Sequence, residues 1–513
     1  MISLRRNAMV NVVGRVATAL LWIVATPFVL SRLGAERFGI WSLFFAFNAY
    51  LTALDLGVGN TMMRFIAAQR PSSDRQALLR TVRAGVWVAL GLGLVWAVVV
   101  ELTRGWLARA FHVPAVVMPE ALDALVIFGI GVLIVFPAQA LVASLKGFER
   151  IDLSTLCVTL GVVVQVLFLY VSLSAGAGLK GAALAGVVGQ AVAGLLAAVM
   201  LRRQLMGVPP GGRGSGPAWR DMLHYSAALQ LLWVLIMLQN QSSRIVLGLL
   251  GNLTMVTDYE LGFRVAFTVA TVPLLIRDPV IPTVSRIWGG EGRAAVTSLF
   301  TSTSRWVYMA SVIAFGLLWL LAPDIARVWL GPGHERIADL MRLWAVAYAV
   351  NLAYAPGVAI ARGIGKPGFE VLSYAAALIT NIGLAIWWVP RLGTAGAVTA
   401  FLVSNCVGLI AFAVPFHGRA GIYPFWPWFQ RDLMPRALAG LCAVTLSAWI
   451  LAAKPLSALL PAPGWIHGTA TAMLFVTIFA LFFIPLGDTQ RLSRVLWEVT
   501  AGAWARRGGV AST

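Results

Sequence analysis

MISLRRNAMVNVVGRVATALLWIVATPFVL, residues 1–30, decides the class of the whole chain. From about Val10 to Leu30 the run is apolar and carries one charge, Arg15, over a length of about 20 residues. That is the length an α-helix needs to cross roughly 30 Å of hydrocarbon. No small-residue cleavage signal closes it, so it reads as a retained first span and not as a removed signal peptide. Blocks of the same kind recur at about 10–30, 38–60, 84–102, 122–143, 153–173, 181–201, 223–250, 258–282, 306–322, 340–361, 370–389, 395–415, 435–453 and 465–486. Of the 513 residues 59% are apolar and 12% charged, whereas a soluble domain is about half apolar and a quarter charged. Segments of about 10 residues with period-2 alternation, which a membrane β-barrel needs, are absent. The expected fold class is all-α and polytopic, with about fourteen transmembrane helices.

The formal charge of +19 invites a nucleic-acid reading, but the basic residues are spread over many short loops, which points to membrane orientation and anionic lipid. A cytoplasmic N-terminus places Arg64, Arg70, Arg75, Arg80 and Arg83 inside, with Arg202, Arg203, Arg213 and Arg220 of the central loop and Arg491, Arg494, Arg506 and Arg507 of the tail. The positive-inside rule selects this orientation and puts both termini in the cytoplasm. Cys157, Cys406 and Cys442 all fall in apolar blocks and read as small hydrophobes, not as a disulfide or metal site.

GVPPGGRGSGPAWR, Gly207–Arg220, is the one long Gly- and Pro-rich segment and divides six spans from eight. Three pairs of similar stretches lie across it at nearly constant offset. VLSRLG at Val29–Gly34 returns as VLGLLG at Val246–Gly251. Lys146, Gly147, Arg150 and Gln165 match Arg362, Gly363, Lys366 and Asn381. GLKGAALAGVVGQ from Gly178 matches GTAGAVTAFLVSN from Gly393. These repeats imply duplicated six-helix halves, 1–206 and 221–418, joined by the cytoplasmic linker 207–220. Residues 419–513 then form an appended transmembrane hairpin and tail. Transporters often hold substrate between such repeats.

Residues 33–69, LGAERFGIWSLFFAFNAYLTALDLGVGNTMMRFIAAQ, resemble the signature of the polysaccharide transport family, an L-G-x-x-x-[FY]-G start followed by an L-D-L-G-x-x-N turn. The matching positions are Leu33, Gly34, Phe38, Gly39, Leu54, Asp55, Leu56, Gly57, Asn60 and Arg64. That family shares a superfamily with multidrug exporters of the MATE type and with lipid II flippases. The resemblance implies two facing bundles that open alternately to each side of a bacterial inner membrane. It also implies a polyprenyl-diphosphate-linked oligosaccharide as cargo, for O-antigen, capsule or exopolysaccharide assembly. Lipid II flippases carry two further C-terminal helices that form a groove for the lipid tail, a role the pair from Pro435 to Leu486 is placed to share.

Ionisable groups inside a span cost roughly 2.5–3.5 kcal/mol each and usually face a bundle interior or a wet cavity. Here the clear cases are Arg15, Asp55, Arg244, Arg264, Arg277 and Asp278, with Arg64 at the family turn. An arginine excess favours an anion, and the guanidinium fork grips phosphate oxygens two at a time. Arg264, Arg15, Asp55, Arg64, Arg244 and Arg277 are therefore the candidate substrate-binding residues. Several have plainer readings. Arg15 can snorkel to the cytoplasmic face or pair with Asp55, Arg64 can brace the turn, Arg244 sits near the outer end of its span, and Arg277 with Asp278 can form a neutralised pair. Trp87, Trp96, Tyr170, Trp233, Trp387 and Trp388 suit an interfacial belt, Trp233 being the one candidate for sugar stacking. Pro27, Pro137, Pro273, Pro279, Pro282 and Pro356 are candidate bend points in spans.

A G-x-x-x-x-G-K-[ST] loop is absent, so no bound cofactor is expected and an ion gradient or the membrane potential is the expected source of coupling, with Asp55 the candidate proton carrier. Membrane lipids and other polysaccharide assembly proteins, a polymerase among them, are the expected partners. A MATE-type multidrug exporter is the alternative, but cationic drugs call for buried carboxylates and these spans hold mainly arginines. An enzyme is not expected, because the outer connections near 104–121 and 323–339 are short, and His112 and His334 in them lie in no D-x-D or H-E-x-x-H pattern.

Overall fold

The computed structural model describes residues 2–53, 58–69, 75–208, 219–277, 280–290, 292–452 and 464–483, and every described element is helical. The α-helices run α1 Ile2–Ala53, α2 Val58–Gln69, α3 Arg75–Ala110, α4 Met118–Gly147, α5 Ile151–Ser174, α6 Gly178–Met206, α7 Trp219–Leu250 and α8 Leu253–Arg277. They continue as α9 Val280–Gly290, α10 Gly292–Leu330, α11 Glu335–Ala353, α12 Ala355–Gly363, α13 Gly368–Pro415, α14 Phe425–Pro427, α15 Met434–Ala452 and α16 Gly464–Phe483. Ten candidate spans among the described residues are long and apolar enough to cross a membrane.

Two of these rods are each a pair of helices. Gly34 (φ 74°, ψ 169°) breaks α1, and Gly393 (φ 58°, ψ −134°) breaks α13. Both backbones lie where a Cβ is strained and glycine is not. With those breaks counted, each of the fourteen expected spans falls on helix over its described part. The span expected at 340–361 is itself two pieces, α11 and α12, separated at Tyr354, two residues before Pro356. Pro27, Pro137 and Pro273 instead lie inside helices that continue through them. Trp87, Tyr170 and Trp387 are exposed on helix surfaces, as residues of an interfacial belt would be. Cys157, Cys406 and Cys442 are unbridged.

The chain forms two compact units, one of Met1–Thr268 with Glu370–Ala411, the other of Val269–Phe369 with Phe412–Thr513. In the first, α4 packs between α3 and α6, α5 lies on α6 and α1, and α7 runs against α1 and α2. Its core gathers Met62, Ile66, Phe136, Leu145, Phe148 and Leu201. In the second, α10 packs on α11, and α9 on α10 and α12. The C-terminal pair α15 and α16 pack on each other and on α10. Small residues seat them: Gly316 of α10 faces the ring of Phe475, and Gly440 of α15 faces Val312 of α10. Close helix approach through glycine is the usual device where lipid supplies no hydrophobic drive.

The internal repeat reappears as local geometry, compared unit by unit. After α4 the amides of Phe148, Glu149 and Arg150 donate to the carbonyls of Ser144, Lys146 and Leu145. After α12 the amides of Ile364, Gly365 and Lys366 donate to those of Ile360, Arg362 and Ala361, the same pattern at matched positions. Gly147 abuts Ile66 and the Met63 carbonyl of α2, while Gly363 abuts Val284 and the Ile281 carbonyl of α9. At the turn itself Gly365 (φ 75°) has Glu149 (φ 59°) as its counterpart. A non-glycine residue in that region costs about 1 kcal/mol. Glu149→Gly is therefore expected to raise the thermal unfolding midpoint of the purified protein; an unchanged or lower midpoint would mean that the Glu149 side chain offsets its backbone strain.

Candidate functional site

The sequence motif at Leu33–Gly39 builds the site by bending and thinning α1. The turn at Gly34 brings Trp22 of the first half to 5.9 Å from Trp41 of the second, and Phe38 stands 5.4 Å from Trp41. Gly39 then lies directly against the backbone carbonyl of Leu253, at the start of α8, where any Cβ would collide. One turn on, the Thr257 hydroxyl donates to the Ala35 carbonyl at 2.6 Å. The first turns of α8 are thus fastened to the bend of α1. Arg264 follows two turns later along the same helix.

The Arg264 guanidinium is 5.5 Å from the ring centre of Trp22, 5.9 Å from Phe38 and 5.7 Å from Trp41, so three aromatic faces surround the cation. Its Nη1 donates to Thr26 Oγ1 at 2.7 Å, and its Nη2 and Nε donate to Glu260 Oε1 at 2.8 and 3.2 Å. The other carboxylate oxygen, Glu260 Oε2, pairs with Arg244 Nη2 of α7. Arg244 in turn lies 5.4 Å from the ring centre of Phe263. The side chains of Arg244, Glu260 and Arg264 are 4%, 7% and 13% exposed. Among the described residues two guanidinium groups share one carboxylate, which leaves an excess positive charge buried among π faces. Next to the cluster a neutral network joins α7 to α13. Ser243 Oγ donates to Asn381 Oδ1 at 3.1 Å, Asn381 Nδ2 donates to Ser242 Oγ at 2.9 Å, and Gln239 Nε2 donates to Ser404 Oγ at 2.8 Å.

Of the expected site residues, the structure brings Arg244 and Arg264 together, and Glu260 is the residue that joins them. Arg15 is exposed on α1, close enough to Lys146 for their charges to repel, and about three helical turns from Thr26. Arg277 is the last residue of α8. Arg64 lies on α2, but its side chain is outside the described residues. Asp55, Gly57 and Asp278 are outside them altogether, and Asn60 is described by its backbone alone. Glu260 could have been found in the sequence: T-D-Y-E-L-G-F-R sets it four residues before Arg264, the spacing of a helical ion pair, inside an apolar block. Thr26, Trp22 and Trp41 carried no such mark, because hydroxyl and indole groups are ordinary in any span.

A second carboxylate with two arginines lies in the other unit. Asp432 Oδ1 is 3.4 Å from Arg305 Nε and 3.6 Å from Arg436 Nη1, where the chain enters α15. Trp428 of the same segment donates to the Tyr308 hydroxyl at 3.0 Å, which itself donates to the Ala353 carbonyl at 2.7 Å. These bonds tie the start of the C-terminal pair to α10.

A family profile described as "Polysaccharide biosynthesis protein" matches residues 4–288. No curated protein matches the sequence. Among solved structures, the fold is similar to an inward-facing multidrug resistance MATE family transporter of the MOP superfamily, with a TM-score of 0.69, 18% identity, and 81% of this chain and 98% of that one covered. It is equally similar to the lipid II flippase MurJ in an inward closed conformation, with a TM-score of 0.68, 10% identity, and coverage of 96% and 99%. A MOP superfamily transporter from Pyrococcus furiosus, noted for a binding pocket of reverse polarity, gives a TM-score of 0.63 at 19% identity, with 82% and 95% covered. At such identities the likeness establishes the fold alone, one shared with these transporters. The flippase match covers too much of the 513 residues to leave out both α15 and α16, of 19 and 20 residues.

Proposed function

The chain belongs to the polysaccharide biosynthesis protein family, and from that premise we propose that it is a flippase for a polyprenyl-diphosphate-linked oligosaccharide. The family match over residues 4–288 carries this reading. The buried excess charge of Arg244 and Arg264 over Glu260 supports it, since a guanidinium pair at membrane depth suits an anionic diphosphate. The protein acts as a transporter and not as an enzyme. It sits in the bacterial inner membrane with both termini in the cytoplasm, and delivers a repeat unit of O-antigen, capsule or exopolysaccharide to the outer leaflet and to the polymerase there. Residues 1–206 and 221–418 serve as the two rocking halves, 207–220 as their linker, and 419–513 as the appended pair that accompanies the lipid tail. An ion gradient or the membrane potential drives the cycle.

The carboxylate at the site also weighs against the multidrug alternative. Glu260 is already held by two arginines and offers no free negative charge to a cationic drug. A deletion strain separates the two. The flippase reading expects loss of surface polysaccharide, with lipid-linked repeat units accumulating in the cytoplasmic leaflet. Unchanged polysaccharide together with greater drug sensitivity would overturn it in favour of drug export.

A further inference from the structure

Glu260 holds its two arginines in the manner of a ligand. Each carboxylate oxygen takes a guanidinium from a different helix, Oε1 from Arg264 of α8 and Oε2 from Arg244 of α7. The two cations converge on one anion between them, the arrangement in which arginines receive phosphate oxygens. A single carboxylate does not saturate them. The Nε of Arg244 and the Oε2 of Glu260, both fully buried, have no hydrogen-bond partner among the described residues, so Arg244 meets Glu260 as an ion pair with its Nε left over. Among the described residues one positive charge also remains uncompensated, so the cluster has both a spare donor and a spare charge for a group with more oxygens and more negative charge than a carboxylate. Removing one partner of a buried ion pair is costly, so a pair serving stability alone would be expected to match its charges and close its donors.

Resting on the reading that this site takes the lipid's diphosphate, we propose that Glu260 is a built-in stand-in for that diphosphate: it occupies Arg244 and Arg264 between cycles, is displaced when substrate arrives, and recaptures the arginines to expel it. While Glu260 is in place the binding-competent fraction of the site is small, and apparent affinity falls by that fraction. Weaker holding is useful to a carrier, which must let its cargo go. A shared anion position also links occupancy to helix packing, because Arg264 is tied through Thr26 to α1 and Arg244 belongs to α7. Exchange of Glu260 for substrate thus changes what holds α1, α7 and α8 together.

The test is binding of geranylgeranyl diphosphate, as a short prenyl diphosphate, to the purified full-length protein, with both affinity and dissociation rate measured. Wild type, Arg264→Ala, Glu260→Gln and Glu260→Asp are compared. Arg264→Ala should weaken binding about tenfold or more, the loss of one charged contact. Glu260→Gln should tighten it about tenfold and slow dissociation to match, as removal of a competing internal anion requires. Glu260→Asp, too short to reach both arginines, should tighten it by less, and it serves as the probe if Glu260→Gln fails to fold. If Arg264→Ala weakens binding while Glu260→Gln and Glu260→Asp leave it unchanged or weaker, Glu260 is a structural bridge and the stand-in role is overturned. Equal binding by wild type and Arg264→Ala would instead remove the diphosphate from this site, and the stand-in role with it.

Discussion

Export in the deletion strain is expected to fall at least a hundredfold when it is complemented with Arg264→Ala, while the amount of protein in the membrane stays normal. Loss of one partner from a desolvated charge contact costs about 2–5 kcal/mol, and about 2.7 kcal/mol already corresponds to a factor of a hundred. The protein should survive the change because of its neighbours. Glu260 keeps its bond to Arg244, so what remains at the site is a neutral pair and not an orphaned carboxylate. Arg264→Lys is the sharper control. It preserves the charge beside Trp22 and Trp41 but loses the fork that reaches Thr26 and Glu260 together, and export should fall about tenfold. Surface polysaccharide at the wild-type level in Arg264→Ala would exclude Arg264 from the transport site.

Gly39→Val should be the most damaging single change to the fold near the site. Its Cβ would fall on the Leu253 carbonyl, a backbone group at the start of α8 that cannot swing aside as a side chain can. The helices must separate, and the Thr257 bond to Ala35 is lost with the contact. Forced overpacking of this kind costs about 3 kcal/mol, enough to show as a large fall in the thermal midpoint or as little folded protein. Gly34→Ala is a different case, because a Cβ there meets open space and the cost lies in the backbone alone, φ 74° and ψ 169° being essentially reserved to glycine, about 1–3 kcal/mol. A Gly39→Val midpoint close to that of wild type would show that the Gly39 contact yields readily.

Helix positions were legible because lipid imposes one length and one polarity on every span, and fourteen apolar blocks announce themselves. Where helices join was less so. Motif and repeat single out Gly34 and Gly393, but nothing in the sequence tells that these two turn the chain while other glycines serve only to bring helices close. The repeat was legible at Gly147 and Gly363 because both abut a neighbouring helix and so have no room for a side chain. Its physical content, a shared turn and a shared docking joint, required the coordinates. At the site, arginines stood out because each is expensive in an apolar span. Glu260 does not, since in a chain with a positive excess a carboxylate that neutralises one arginine looks ordinary in a composition. The aromatic faces around Arg264 come from both sides of a bend, and no linear spacing records that.

The bond between Arg244 and Glu260 also bears on how the protein is made. α8 is the least apolar of the ten candidate spans and carries Asp258, Glu260 and Arg264 in its first half. Such a segment partitions poorly into lipid on its own. Its counter-charge sits on α7, across a turn of only Gly251 and Asn252. The nascent α7 and α8 are therefore suited to leave the translocon as one hairpin, with the ion pair closed before either meets hydrocarbon, and Thr26 of the earlier α1 waiting to receive Arg264.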